Sequence, residues 1–165
     1  MALLIDGFNL LYKFSDLEEM MYCNELSDAR RGLLEKLKKY VQITGTRIRV
    51  VFDGKKEMFL NIRSERVGKI DVYYSLDYSA DFLIKEFIKK DLNPKMATVI
   101  TSDKDIISYV THFKAKVKKS EDFAKQLNET IEKWQETVIP EKDENPIISN
   151  DEISYWENLF KEGSQ

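Results

Sequence analysis

One cysteine and one histidine are all that 165 residues offer as thiolate and imidazole metal ligands. Cys23 alone excludes an internal disulfide and any cysteine-rich metal site, and a reducing, cytoplasmic setting is the simple expectation. His112 alone excludes paired-histidine catalysis, and its place past a strand end, on a helix, reads as structural or exposed. Glycine is scarce, six in all, and no P-loop or GxGxxG spacing occurs, which argues against a small nucleotide binder. No apolar run approaches the roughly 18 residues of a membrane span. Residues 1–20 lack a basic start followed by a long apolar run, so no signal peptide is expected.

What is present suits a globular chain with a core of its own. Hydrophobic residues make up 42% and aromatics 12%, and the length suffices for one domain without disulfides or a structural metal. The net charge of −3 hides an asymmetry. Residues 1–119 hold 22 Lys and Arg against 17 Asp and Glu, a net +5, whereas residues 120–165 hold 4 against 12, a net −8. A mildly basic body with an acidic C-terminal part has consequences for partners, although a merely solvated acidic helix accounts for the second half equally well.

Strand and helix patterns alternate along the chain. Ala2 to Ile5 is a short apolar run stopping at Asp6-Gly7, and Arg47 to Phe52 another, stopping at Asp53-Gly54. Ile70 to Tyr74, Ala97 to Thr101 and Ala115 to Val117 complete the predicted strands. Phe8 to Met21 has room for a short helix and a loop. A longer helix begins near Ser27-Asp28, carries Leu33, Leu34, Leu37 and Val41 on one face, and closes at Gly45. Residues 55–69 read as a polar, basic loop. Ser79 or Asp77 can cap a helix facing inward with Phe82, Ile84, Phe87 and Ile88, ending at Asn93-Pro94. Further helices are predicted from Asp103 through Val110 and over 120–137. The pattern predicts an α/β fold, a mostly parallel sheet with helices on both faces and right-handed crossovers. Residues 1–137 form the expected domain, 138–150 a linker, and 151–165 a short helix that packs back or docks on a partner.

Three predicted strands end in aspartate: Asp6, Asp53 and, slightly later, Asp103. Asp81 lies in the first turn of a helix that follows a strand. In a parallel sheet these positions share the carboxyl edge, where ligands bind. Each acid has a structural alternative: a turn residue at Asp6 or Asp53, a helix-dipole partner at Asp81, a cap at Asp103. Four carboxylates together repel one another, and a hard divalent cation, Mg²⁺ or Mn²⁺, removes that cost.

These same segments carry a resemblance. Leu4-Ile5-Asp6-Gly7-Phe8-Asn9-Leu10-Leu11 is similar to the opening of NYN-domain proteins. Val50-Val51-Phe52-Asp53-Gly54, Ser79-Ala80-Asp81-Phe82-Leu83-Ile84 and Val99-Ile100-Thr101-Ser102-Asp103-Lys104-Asp105 resemble their later motifs. Order and spacing are closest to the YacP-like branch of the PIN-like superfamily, over residues 2–127. The resemblance implies a PIN-like three-layer α/β/α fold and a metal-dependent endoribonuclease. Asp6, Asp53, Asp81 and Asp103 match its acidic metal site for Mg²⁺ or Mn²⁺. Asn9 matches a motif asparagine that orients Asp6 or holds a water. Ser102 and Asp105 are weaker, supporting candidates, and Asp105 alternatively faces solvent.

The implied reaction is in-line hydrolysis of an RNA phosphodiester by a metal-activated water, leaving a 5′-phosphate and a 3′-hydroxyl. Single-stranded RNA is the expected substrate, with mRNA presented by a ribosome as one form of it. Lys55, Lys56, Arg63, Arg66 and Lys69 could grip its backbone, unless they only keep a loop soluble. Lys114, Lys116, Lys118 and Lys119 form a second cluster, expected farther from the acids. Phe8, Tyr73, Tyr74 and Tyr78 lie near the predicted edge, as core residues or as stacking faces for unpaired bases. The competing reading is a non-catalytic RNA- or ribosome-binding module on the same fold. An aspartyl-nucleophile phosphatase is disfavoured, because Phe8 stands where its second aspartate belongs.

Overall fold

The computed structural model of the chain describes residues 2–54 and 64–138. Two compact units are delimited, 1–131 and 132–165, and all strands among the described residues lie in the first. The predicted linker and last helix, 138–150 and 151–165, fall outside the described residues apart from Val138.

The apolar runs become a six-stranded sheet: β1 (Ala2–Asp6), β2 (Arg47–Phe52), β3 (Ser64–Val67), β4 (Ile70–Tyr74), β5 (Ala97–Ile100) and β6 (Lys116–Lys118). Their spatial order is β3-β4-β2-β1-β5-β6. Every pairing is parallel except β3 with β4. The chain builds outward from β1 through β2 to β4, then crosses to the other side of β1 for β5. Strand order therefore reverses between β1 and β5, which makes the carboxyl ends of those two strands the natural ligand crevice.

Residues 64–67 correct the expectation of a loop. Ser64-Glu65-Arg66-Val67 lacks an apolar alternation because β3 is an exposed edge strand, paired on one side only.

Alternation along the central strands divides the core. Leu3 and Ile5, Ile48, Val50 and Phe52, and Ile70, Val72 and Tyr74 pack on one face with α1 (Gly7–Leu11), α2 (Ser15–Tyr22), α3 (Leu26–Thr44) and the start of α6 (Ser120–Val138). Leu4, Val51 and Val99 pack on the other with α4 (Ala80–Lys90) and α5 (Lys104–His112). These are the three α/β/α layers.

The helix faces follow from sequence spacing with one change. Ala29, Leu33, Leu34, Leu37, Tyr40 and Val41 are the buried stripe of α3, and Gly45, at φ 71°, ends it in the left-handed conformation. On α4 only Ile84 and Ile88 of the four expected residues are fully buried; Phe87 is half-buried and Phe82 is 45% exposed. Phe87 meets Tyr73 edge-on at 4.9 Å, whereas Phe82 turns outward to Tyr78.

Candidate active site

Strand alternation decides which side of the sheet the acids occupy. Asp6 shares the parity of Leu4, and Thr101 that of Val99, so both belong to the face covered by α4 and α5. Asp53 follows Val51 by two residues and falls on the same side. Asp81 lies in the first turn of α4, and Asp103 is the N-cap of α5. Asp6, Asp53, Asp81 and Asp103 thus line one cleft of about 290 Å³, together with Phe8, Asn9, Tyr12, Ser79, Ala80 and Ile106. A larger groove of about 610 Å³ lies at the opposite sheet edge, along Ala2, Arg47, Arg49 and Ala97. It holds none of the four acids, and chemistry outweighs size in choosing between them.

Each carboxylate is held by its own partner. Thr101, fully buried, donates Oγ1 to Asp6 Oδ2 at 2.9 Å and accepts the Asp103 N–H at 3.1 Å, linking two acids through one hydroxyl. Ser75 Oγ donates to Asp53 Oδ1 at 3.4 Å and accepts the Gly54 N–H at 3.0 Å. Asp103 Oδ1 accepts the Asp105 and Ile106 N–H groups at the start of α5. The capping alternative for Asp103 therefore holds, while Oδ2 is not needed for it. Asp81 Oδ1 is buried without an aligned hydrogen bond, and its charge partner is the Lys85 ammonium at 3.3 Å.

Lys85 is a residue that motif reading passed over. Its Nζ also donates to Asp105 Oδ2 at 2.6 Å. That bond, and to a lesser extent Asp81, hold the ammonium above its usual 10.5 against the opposing effect of burial. Asp105 faces solvent, as its alternative reading had it, and its partner is this lysine. The signal available in sequence was the four-residue spacing from Asp81 to Lys85 on one helix.

Asn9 and Ser102 belong to a different network. Asn9 Oδ1 accepts the Ser102 N–H at 3.0 Å and the Ser120 hydroxyl at 2.6 Å. A backbone N–H can only donate, so the amide orientation is fixed and Nδ2 is the end turned elsewhere. Ser102 Oγ accepts the Ser120 N–H and donates to Glu121 Oε2 at 2.6 Å. This bond is the main reason that the exposed Glu121 carboxyl sits below its usual 4.5. Asn9 lines the cleft, yet its carbonyl ties α1 to the β5–α5 loop and to the start of α6; Asp6 Oδ2 is bonded by Thr101.

The donor set suits a hard cation in kind: oxygen ligands only, at a sheet edge facing the N-terminal turns of α4 and α5. Among the described residues, no three His, Cys, Asp or Glu side chains are drawn together as a ready ligand cage. Mg²⁺ does not require one, because it keeps several waters and takes one or two carboxylates directly.

The basic residues are redistributed. Lys55, Lys56 and Arg63 lie outside the described residues. Arg66 pairs with Asp71 at 3.4 Å, and Lys69 occupies the β3–β4 turn. Both therefore sit toward the amino end of β4, away from the acids. Lys118 and Lys119 stand at the carboxyl end of β6, and the Lys118 ammonium is bonded to Gln126 of α6. Among the expected aromatics, Phe8 and Tyr74 are buried, Tyr73 half-buried and Tyr78 60% exposed.

This geometry meets an independent likeness. The sequence profile of the YacP-like NYN domain matches residues 3–161. The chain belongs to that family. The match runs well past residue 127, where the motif likeness ends. NYN domains form part of the PIN-like nuclease superfamily. The chain is also similar to the crystal structure of Rae1 (YacP) from Bacillus subtilis, at 20% identity and a TM-score of 0.63 over 99% of this chain and 96% of that one. A point mutant of the same protein gives 23% identity and a TM-score of 0.70 over 87% and 83%. Identities this low speak for the fold, which is PIN-like. No curated protein sequence matches the chain. Among the described residues, no helix is long and apolar enough to cross a membrane.

Proposed function

We propose that the protein is a metal-dependent endoribonuclease that hydrolyses phosphodiester bonds of single-stranded RNA. The observation that carries the reading is the lining of a single cleft by Asp6, Asp53, Asp81 and Asp103, at the strand-order reversal of a PIN-like sheet. Asp6, Asp53, Asp81 and Asp103 would hold Mg²⁺ or Mn²⁺. Such an ion, when bound, supplies charge neutralisation at the phosphate and a lowered pKa for water. Thr101 and Ser75 orient Asp6 and Asp53. Asn9 keeps α1 and the β5–α5 loop in register around Asp6. Lys85 neutralises Asp81, and Asp105 is the second anchor for that lysine. Lys55, Lys56 and Arg63, which follow Asp53 in sequence, and Lys119, at the carboxyl end of β6, would contact the RNA backbone. A cytoplasmic mRNA, free or presented on a ribosome, is the substrate class this reading favours.

The test is cleavage of a mixed single-stranded RNA pool in Mg²⁺ or Mn²⁺, with EDTA and Asp103→Asn beside it. Asparagine caps a helix as well as aspartate does, so the substitution removes charge while α5 stays in place. The expected result is cleavage by the parent protein and its loss in both controls, with unchanged circular dichroism. RNA binding without cleavage by the folded parent protein would overturn the catalytic reading in favour of a binding module.

A further inference from the structure

Two partly exposed aromatic rings flank the segment that carries Asp81. Tyr78 is 60% exposed and Phe82 45%. Their centroids are 4.9 Å apart and their planes only 19° from parallel. They bracket the start of α4: Tyr78 precedes the capping Ser79, whose Oγ accepts the Phe82 N–H at 3.1 Å. A hydrophobic contact across a helix start commonly fixes the entry of the chain. That accounts for ring meeting ring, and it leaves unexplained why both remain so exposed at the cost of apolar surface in water.

The turn that leads to the pair is shared with the site. Ser75 N–H bonds the Phe52 carbonyl at 3.0 Å, its hydroxyl bonds Asp53, and its carbonyl accepts the Tyr78 N–H at 3.0 Å. One short turn therefore sets both Asp53 and Tyr78. Between the two rings in sequence lie Ser79, Ala80 and Asp81, all of them lining the cleft. The two rings thus flank the segment that supplies Asp81 to the cleft, at its rim and outside its lining.

We propose that Tyr78 and Phe82 form a stacking platform for one unpaired RNA base, seated next to the phosphate that enters the cleft. This inference rests on the ribonuclease reading above and adds the element that selects unpaired over paired RNA. A base within a duplex has both faces covered by its neighbours, whereas an unpaired base can extend the Phe82–Tyr78 stack. Stacking asks only for a flat π-face, so the platform favours single strands without dictating a sequence.

The experiment measures binding of a labelled single-stranded RNA in Mg²⁺, by fluorescence anisotropy, with cleavage blocked by Asp103→Asn. A companion RNA of the same length carries abasic nucleotides. Tyr78→Ala combined with Phe82→Ala should weaken the base-bearing RNA about five-fold or more, as loss of one stacked base does. It should leave the abasic RNA unchanged, and Tyr78→Phe should retain most of the affinity. Tyr22→Ala, at an exposed tyrosine on α2, should change neither. Equal weakening of both RNAs, or none for the base-bearing RNA, would overturn the platform while leaving the nuclease intact. A parent protein that neither binds nor cleaves RNA would overturn both readings.

Discussion

Thr101 shows how much one hydroxyl can organise. It is the last buried residue before the β5–α5 loop, it donates to Asp6, and it accepts from the backbone of Asp103. A carboxylate that must stay charged gains from a donor of fixed position. Replacing Thr101 by valine keeps the shape and removes both bonds. The Asp103 N–H would lose its acceptor and Asp6 Oδ2 would lose the Thr101 hydroxyl. Thr101→Val should cost about 1–3 kcal/mol in chemical denaturation, the usual range for a buried polar group left unpaired. On the ribonuclease reading it should also lower cleavage at temperatures where the variant is fully folded. Normal cleavage by a folded Thr101→Val would remove Thr101 from the site. Lys85 is a second case: the helix turn that places it beside Asp81 also brings it to Asp105, so it answers two carboxylates at once.

At the scale of elements, the site depends on how closely α1 approaches β2. Gly7 opens α1, and a Cβ added there would lie 2.5 Å from Phe52 Cδ1 and 2.8 Å from the Val51 carbonyl oxygen. Sequence alone offers a turn as the reason for this glycine; the structure gives close packing of a helix start on a strand. The ring could shift, but the carbonyl belongs to the sheet. Gly7→Ala should therefore destabilise by roughly 1–3 kcal/mol, read from the denaturation midpoint. A neutral result would mean that α1 can move away from β2. The packing of α3 against α6 has a different signature. Tyr40 is buried edge-on to Phe123 at 5.3 Å, and burial raises its phenol above the usual 10.0. A folded-state value above the unfolded one contributes stability below pH 10 and loses it as pH rises through the raised value. Parent stability should fall over that alkaline interval, and Tyr40→Phe should fall less steeply, measured by urea denaturation from pH 9 upward. Parallel curves would show that Tyr40 does not titrate differently in the two states.

For the molecule as a whole, charge is the property to test. If RNA is the substrate, an acidic cleft repels it, and the basic excess of residues 1–119 would offset that repulsion at long range. On the ribonuclease reading, RNA affinity should fall as salt rises, with a log–log slope of about −0.7 per phosphate neutralised on a single strand. Removing Lys55 and Lys56 together should flatten that slope. Affinity independent of salt would deny the phosphate backbone a part in binding.

Local sequence was enough to place β1, β2, β4 and β5, because each is a short apolar run closed by an acid or a turn. It was enough to nominate the four aspartates, because three follow apolar strands and Asp81 opens a helix after a fourth, all within motifs that resemble one family. It did not reveal β3, whose exposed edge leaves no alternation to read. It did not reveal Thr101, Ser75 or Lys85, since hydroxyls and lysines are common and only folding brings Thr101 to Asp6 across 95 positions. Nor could it separate Phe82 from the inward face of α4, or tell that Lys69 and Lys119 belong to opposite sheet edges. Those facts depend on strand order and direction. Periodicity along a chain reports which residues are buried, whereas the crossing from β4 to β5 decides which of them meet.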